Sequence, residues 1–425
     1  MTSPSNARLA IEGGTPSRQR SDPPMHPGAM QIDQEEEQAV LDVLRSRRLF
    51  RYQGLQPGPS QVQLLEQEFA QVMGSPHALA VNSGTSALIC GLQGVGVGPG
   101  DEVIVPAYTW MASATAVTAL GGLPVIAEVD ESLTLDPQDV ERKISPYTRA
   151  ILPVHMRGVP CRMDRLLEVA TRHNLAVVED AAQADGASFG GRRVGTWGDA
   201  GCFSFQFHKI ITSGEGGMLL SRSPEVYQRA MQYHDVASGQ RNRLPSDEIL
   251  WGINFRMTEL QAAIMRVQLK RLEGLLAAMR HAKQVLAGGL AELANRLPVQ
   301  LQEIPDPSGD AAIALIFYLK DAPTAAQVAA ALSAENIGAR VIYSPEVVDY
   351  HIYAHWTPLM NQRTWTAQGG PWRWAQRELN YSPDACPRSL DLLGRAVHLN
   401  VNPLFTDQDL EETLDGLEKV LGKLA

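Results

Sequence analysis

Leu175-Ala-Val-Val-Glu-Asp-Ala-Ala-Gln183 is a short apolar run that breaks on two acids. An apolar run of this kind reads as a buried strand of a parallel sheet, covered on both faces. Asp180 then stands at the strand's carboxyl end, where open α/β sheets bind their ligands. Outward from this stretch, the predicted strands are Ala78–Val81, Glu102–Val105, Pro124–Glu128, Ala150–Val154, Leu175–Glu179, Gly201–Phe205 and Gly217–Leu220. Helical segments alternate with them. The pattern predicts an α/β, doubly wound, mainly parallel sheet of seven strands.

Two roles are open to Asp180. It can cap the helix that follows it, or hold a pyridinium nitrogen protonated, as pyridoxal phosphate requires of its electron sink. Downstream lies Phe203-Ser-Phe-Gln-Phe-His-Lys-Ile-Ile-Thr-Ser-Gly-Glu-Gly-Gly217, with a lone Lys209 among apolar neighbours. Taken alone, Lys209 reads as a surface lysine on a loop. Desolvated, it would lose charge and become a nucleophile for a carbonyl. Asp180 followed by Lys209 favours the second reading. A third piece is Val81-Asn-Ser-Gly-Thr-Ser-Ala-Leu88, a strand that turns into an apolar helix. The helix amides and the hydroxyls of Ser83 and Thr85 offer a phosphate site, though such turns also cap many helices.

Taken in order, Asn82-Ser-Gly-Thr-Ser-Ala-Leu88, Pro106-Ala-Tyr-Thr-Trp110, Glu179-Asp-Ala-Ala-Gln183, Phe203-Ser-Phe205 with Lys209, Ser213-Gly-Glu-Gly-Gly217 and Asn254-Phe-Arg-Met-Thr-Glu-Leu-Gln-Ala-Ala263 form one set. That set resembles the DegT/DnrJ/EryC1/StrS family of pyridoxal-phosphate aminotransferases, which act mainly on keto-sugars and keto-cyclitols. The resemblance is good over residues 8–285 and poor beyond.

The resemblance implies aminotransferase fold type I and pyridoxal 5'-phosphate held as an internal aldimine on Lys209. It also implies a small-molecule amino donor, glutamate or glutamine, and a carbonyl acceptor, in ping-pong order. Asp180 would face the pyridine nitrogen and Gln183 the O3′ side of the ring. Ser83, Gly84, Thr85 and Ser204 would hold the phosphate. Trp110 would stack on the ring; its other reading is a core tryptophan at a helix start. Asn254 would reach the phosphate in the partner subunit of a homodimer with shared active sites; otherwise it caps the helix predicted over Met257–Leu272. His155 reads equally as substrate-facing or as satisfied by backbone. Arg157 stands where the family pattern leads one to expect an aromatic; it can meet an acidic substrate or the donor's carboxylate, or point to solvent. His208 is a further substrate candidate. In a related dehydratase a histidine replaces the lysine, but counting back from Ser213 puts Lys209 in that slot. A non-catalytic regulator of this fold would be expected to lose Asp180 or Lys209.

The 425 residues are 44% hydrophobic and 20% charged, with a formal net charge of −10. No basic cluster points to nucleic acid, no run is long enough for a membrane span, and no export signal pattern opens the chain. Four scattered cysteines without metal spacing read as reduced thiols, Cys90 and Cys202 in the core. A cytoplasmic location and no metal are expected. The sequence divides into a partly flexible segment 1–25, a large cofactor-binding domain 26–285 and a smaller C-terminal α+β domain 286–425. Helices are predicted over Glu35–Ser46, Gln61–Met73, Thr324–Glu335 (with a Thr324/Gln327 capping box) and Phe405–Leu421, and small-domain strands over Ala312–Leu319 and Gly338–Tyr343. The stretch 350–383 holds Trp356, Trp365, Trp372 and Trp374 among Gly, Pro and Arg. It reads as an interface or a site lid.

Overall fold

A computed structural model describes residues 8–53, 58–364 and 367–425. Seven strands form the main sheet: β1 His77–Val81, β2 Glu102–Pro106, β3 Leu123–Ala127, β4 Thr148–Ile151, β5 Ala176–Asp180, β6 Ala200–Ser204 and β7 Gly217–Ser221. Their spatial order is β1-β7-β6-β5-β4-β2-β3. The pairs β2–β3, β2–β4, β4–β5 and β5–β6 are parallel, whereas β7 runs antiparallel to both β1 and β6. The carboxyl ends of β1, β5 and β6 therefore lie along one edge. Alternate residues point to opposite faces. Ala78, Ala80, Phe203 and Phe205 pack toward the helices Gln61–Met73 and Glu259–Ala294. Leu79, Val81, Val178 and Cys202 pack on the other side with the helix Gly84–Gly94. Cys90, Cys161, Cys202 and Cys386 are all buried free thiols.

A second sheet is antiparallel throughout: β8 Gln300–Leu301, β9 Ala314–Tyr318, β10 Ala339–Val341 and β11 Ala396–Asn400, in the order β8-β9-β11-β10. The helices Ala322–Ala334 and Glu259–Ala294 pack on it, and Asp407–Leu424 packs on those two helices. The first of these is capped by Asp321, whose side chain accepts from the Thr324 N–H, and not by the expected Thr324/Gln327 box. The helix expected over Met257–Leu272 instead runs 36 residues, Glu259–Ala294, capped by Thr258. It crosses the 285/286 boundary, because its apolar spacing continues through Leu276, Met279, Leu286 and Leu290 without a proline.

The described residues before 25 are fastened at Ala10, Ser17 and Arg18. Ala10 and Ser17 donate their N–H groups to the Glu335 carboxylate at 2.8 and 2.7 Å, and Lys419 Nζ joins it at 2.9 Å. Arg18, 1% exposed, pairs with Asp409 at 2.7 Å. Wholly buried charges of this kind hold only when paired and hydrogen-bonded.

The tryptophan-rich stretch goes mostly to the far edge of the main sheet. Arg377 pairs with Glu102 of β2 at 2.6 Å, and the Tyr381 hydroxyl donates to the Pro124 carbonyl at 2.9 Å. Trp356 is buried, its indole N–H donating to the Tyr350 carbonyl at 2.8 Å. Trp374 lies against Gly121, and Trp372 against Tyr381. The expectation for Trp365 lies outside the described residues. Among the described residues no helix is long and apolar enough to cross a membrane.

Candidate active site

A cavity of about 640 Å³ opens at the carboxyl edge of the main sheet, walled on one side by the small sheet. It is lined by Ser83, Gly84, Thr85, Trp110, Arg157, Asp180, Gln183, Ser204, His208 and Lys209 among others. Asp180 and Ser204 end strands, Ser83 and Gly84 begin the helix after β1, and the others lie on or beyond the turns that follow strands. His208 faces the mouth.

Asp180 ends β5 and is 5% exposed. Its Oδ2 accepts from the Ser113 hydroxyl at 2.8 Å and its Oδ1 from the Ala182 N–H at 3.0 Å. Burial pushes its carboxyl above the usual range, and the hydrogen bonds and the Lys209 charge pull the other way. No helix follows β5, so Asp180 caps a turn there through the Ala182 N–H and not a helix, and its side chain lines the cavity.

Lys209 rides on the loop after β6. That loop closes on itself, with Phe205 donating to Gly216, Phe207 to Gly214 and Ser213 to Phe205 at 2.9–3.1 Å. The lysine is half-buried. Burial lowers its pKa, and Asp180 and Asp185 oppose that. Asp185 is 1% exposed, and neither carboxylate oxygen has a hydrogen-bond partner among the described residues. Burial pushes its acid well up.

The opposite end is a cradle. Ser83 caps the helix Gly84–Gly94 by accepting from the Ser86 N–H. The Gly84 and Thr85 amides have no intrahelical acceptor and make a donor pair for an anion. Gly217 at the start of β7 lets the turn after β1 come close; a Cβ there would lie 2.4 Å from the Ser83 carbonyl oxygen. Gly84 likewise sits 2.6 Å, counted from a built Cβ, from Ser204 Cβ. Gly84→Ala is expected to force the two apart and to cost about 1–3 kcal/mol, as overpacking does. A shifted urea midpoint with an unchanged slope is the measurement.

Trp110 is 47% exposed at the rim, its ring 4.9 Å from His351. Backbone bonds from Thr109 to His351 and from Met111 to Tyr350 fix this strip. His208 lies at the mouth, its Nδ1 2.8 Å from that of His26. The Arg157 N–H donates to Gln183 Oε1 at 3.3 Å.

The substrate-facing reading of His155 is overturned. It is wholly buried and absent from the cavity wall. The Cys161 N–H donates to its Nδ1 at 3.1 Å, so Nε2 carries the proton and donates to Glu179 at 3.0 Å. Glu179 also accepts from Gly195, Trp197 and Gly198, all at 2.7 Å. His155 therefore braces the strand behind Asp180. Nor does Asn254 line its own chain's cavity: it is exposed, its Oδ1 3.3 Å from the Arg256 N–H, and it caps no helix.

Several lining residues carried no signal in the sequence: Met25, His26, Arg340, His351 and Asn400. They come from the N-terminal part of the chain and from the small domain, each outside the quoted motifs; Glu215 also lines the cavity, from within Ser213–Gly217, but was not singled out.

The residues present fit pyridoxal phosphate. An anion cradle, a buried carboxylate and a partly desolvated amine share one cavity of suitable size.

Comparison with known proteins agrees. The family model described as the DegT/DnrJ/EryC1/StrS aminotransferase family matches residues 30–369. GDP-perosamine synthase of Caulobacter vibrioides is 44% identical over 235 residues, 55% of this chain and 62% of that protein. L-glutamine:2-deoxy-scyllo-inosose aminotransferase of Streptomyces kanamyceticus is 37% identical over 305 residues, 68% of this chain and 69% of that protein. The S. venezuelae DesV structure, in complex with a ketimine intermediate, superposes with a TM-score of 0.75 at 30% identity, covering 96% of this chain and all of that one. With a family match over most of its length and the motif residues gathered in one cavity, the chain belongs to the DegT/DnrJ/EryC1/StrS aminotransferase family.

Proposed function

We propose that this enzyme moves an amino group from glutamate or glutamine to the carbonyl of a keto-sugar, keto-cyclitol or related polyol, in two half-reactions at one site. The observation that carries this reading is the Lys209 amine lining the same cavity as the Asp180 carboxylate, with the phosphate cradle at its end. Relatives whose names specify sugar and cyclitol amination support the acceptor class. The L-glutamine in one of those names supports the donor.

Pyridoxal phosphate, when bound, would supply an electron sink that acidifies the donor's α-carbon. The chain does the rest. Lys209 Nζ, lowered by burial, removes the α-proton and redelivers it, acting as base and then acid. With the cofactor bound, Asp180 would hold the ring nitrogen's proton, Gln183 would orient the neighbouring oxygen, Ser83, Gly84, Thr85 and Ser204 would hold the phosphate, and Trp110 would shield one ring face from water.

Borohydride treatment of the loaded protein, followed by peptide mass mapping, tests the assignment. A single label on the Lys209 peptide, with bleaching of the visible band by glutamine or glutamate, is the expected result. A label elsewhere, or none, would sink it.

We also infer a homodimer with shared sites. Beside exposed Asn254, the side chains of Ile249, Leu250, Trp251 and Ile253 are all exposed, Trp251 at 96%. An exposed apolar group of this size suits burial by a second copy. Asn254→Ala alone is expected to be impaired about tenfold or more, the loss of one hydrogen bond to a charged group. Mixing it with Lys209→Ala should raise activity above either parent, because some heterodimers then carry one intact site. No rescue after demonstrated subunit exchange would mean Asn254 does not cross between subunits.

A further inference from the structure

The cavity mouth holds a pair of imidazoles that the amino-transfer chemistry leaves unused. One belongs to His208, the residue before Lys209. The other, His26, arrives on a segment pinned from both sides. The small domain holds one side: Gly338 donates its N–H to Asp22 Oδ2 at 2.7 Å, and Asn402 Nδ2 donates to the Pro24 carbonyl at 3.0 Å. On the other side Gly28 lies against the loop that carries Lys209. A Cβ built at Gly28 would sit 2.9 Å from the Ile210 carbonyl oxygen and 2.9 Å from Ile211 Cα. Between these points the His26 ring is placed with its centroid 4.7 Å from that of Phe207 and 4.6 Å from that of His208. The two Nδ1 atoms are 2.8 Å apart. The His208 backbone is fixed in turn, its N–H donating to Gln206 Oε1 at 2.9 Å. Both histidines line the cavity.

The short distance between the Nδ1 atoms decides where the protons are. Two bare nitrogens would repel and two N–H groups would clash, so one proton lies between them. In a neutral pair, the ring that donates from Nδ1 keeps a bare Nε2. The ring that accepts at Nδ1 carries its own proton on Nε2. The pair therefore presents one acceptor and one donor, whichever ring plays which part. Burial, and after it the His26 and Lys209 charges, lowers the His208 pKa and favours its neutral ring. No other group among the described residues hydrogen-bonds to either ring, so both Nε2 atoms are open to a ligand. A carboxylate only accepts and an ammonium only donates, so neither satisfies both atoms. A hydroxyl does either, and two neighbouring hydroxyls supply one of each.

We propose that His26 and His208 act as one hydroxyl-recognising unit, which selects the acceptor by binding two neighbouring hydroxyls of a keto-sugar or keto-cyclitol. This rests on the aminotransferase reading above, since that reading brings a polyol into the cavity.

Asparagine and glutamine separate the two nitrogens of each ring. An asparagine amide reaches the Nδ1 position, so it keeps the bridge between the segments and deletes Nε2. A glutamine amide reaches the Nε2 position and deletes the bridge. The probes are myo-inositol and methyl α-D-glucoside, polyols with no carbonyl to react. They are titrated into cofactor-free protein at about pH 8, where imidazole is ordinarily neutral. Wild type should bind at least one of them. His26→Asn and His208→Asn should each weaken that binding about three- to tenfold, the loss of one hydrogen bond. His26→Gln and His208→Gln should lose less. His208 is exposed, so its variants leave the core untouched. Binding retained by both asparagine variants, or no binding of either polyol by wild type, would overturn the unit. Binding kept with asparagine and lost with glutamine would make the pair a latch that only joins the two segments. Bleaching of the loaded protein's visible band by glutamine then separates acceptor from donor, whose side-chain amide also donates and accepts. A larger loss there than with the polyols would assign the pair to the donor and overturn the acceptor reading. The borohydride label on Lys209 is read separately, so failure of the aminotransferase reading shows there and not here.

Discussion

Replacing Lys209 with alanine is expected to abolish amino transfer and leave the fold standing. The side chain is half-buried at the cavity floor, and its loop is held by backbone bonds at 2.9–3.1 Å that do not involve the amine. Nothing structural is lost with it. Two chemical roles are: the covalent anchor, and the base that moves the proton. General acid–base help alone accounts for about 10²–10⁴ in rate, so turnover should fall at least that far. The borohydride label should vanish from the Lys209 peptide, with the far-UV dichroism and the melting transition close to wild type. Lys209→Arg separates charge from chemistry. It keeps a cation near Asp180 and Asp185, whose acids the lysine charge pulls down, yet it offers no nucleophilic amine at neutral pH. Turnover in purified Lys209→Ala within tenfold of wild type would remove Lys209 from the mechanism.

The parts of this site that could be read from the chain are those made by one strand and its following turn. Asp180, Ser83 and Ser204 each end a buried apolar run, so the end of the pattern fixes the residue at the sheet's edge. Lys209 stood out because its neighbours are apolar. What stayed hidden depends on contacts between distant elements. His155 also follows a strand, but only the fold shows that its ring turns inward to Glu179. Arg340 and Asn400 lie in the small domain on short strands with no motif, and Asn400 ends a strand, β11, that the sequence analysis missed. The direction of β7 is set by its partners β1 and β6 and leaves no trace in its own residues. The later turns of the long helix carry Gly274, Gly288 and Gly289, which weaken its apolar pattern in the sequence without ending the helix. The aromatic stretch 350–383 was read from composition. Composition does not tell a lid from a patch on the sheet edge, and its contacts with Glu102, Pro124 and Gly121 make most of it the latter.

Asp180→Asn is expected to raise stability slightly and cost most of the rate, a combination that a purely structural role would not give. Asparagine fits the site. Its carbonyl can accept from the Ala182 N–H, and its amide can donate to the Ser113 hydroxyl, which is itself 2.7 Å from Thr109 Oγ1. Asparagine also caps a turn as well as aspartate does. The electrostatics differ. In the cofactor-free protein, burial raises the Asp180 acid above its unfolded value. The fold therefore prefers the protonated form. Stability is lost as pH rises from the unfolded value through the folded one. Removing the charge removes that loss. Cofactor-free Asp180→Asn should thus melt at or above wild type at pH 7, and the advantage should disappear below about pH 4. Catalysis moves the other way. A neutral amide does not hold a proton on the pyridine nitrogen, so the electron sink weakens. The expected loss in kcat is about 10²–10³, the size seen when one preorganised electrostatic contact is removed. Thermal melts of cofactor-free protein at pH 7 and pH 4, beside single-turnover rates of the loaded protein with glutamine, read both halves. A near-wild-type rate would leave Asp180 as a turn cap. A lower melting point at pH 7 would mean its charge is stabilised in the fold by more than the contacts to Ser113, Ala182 and Lys209.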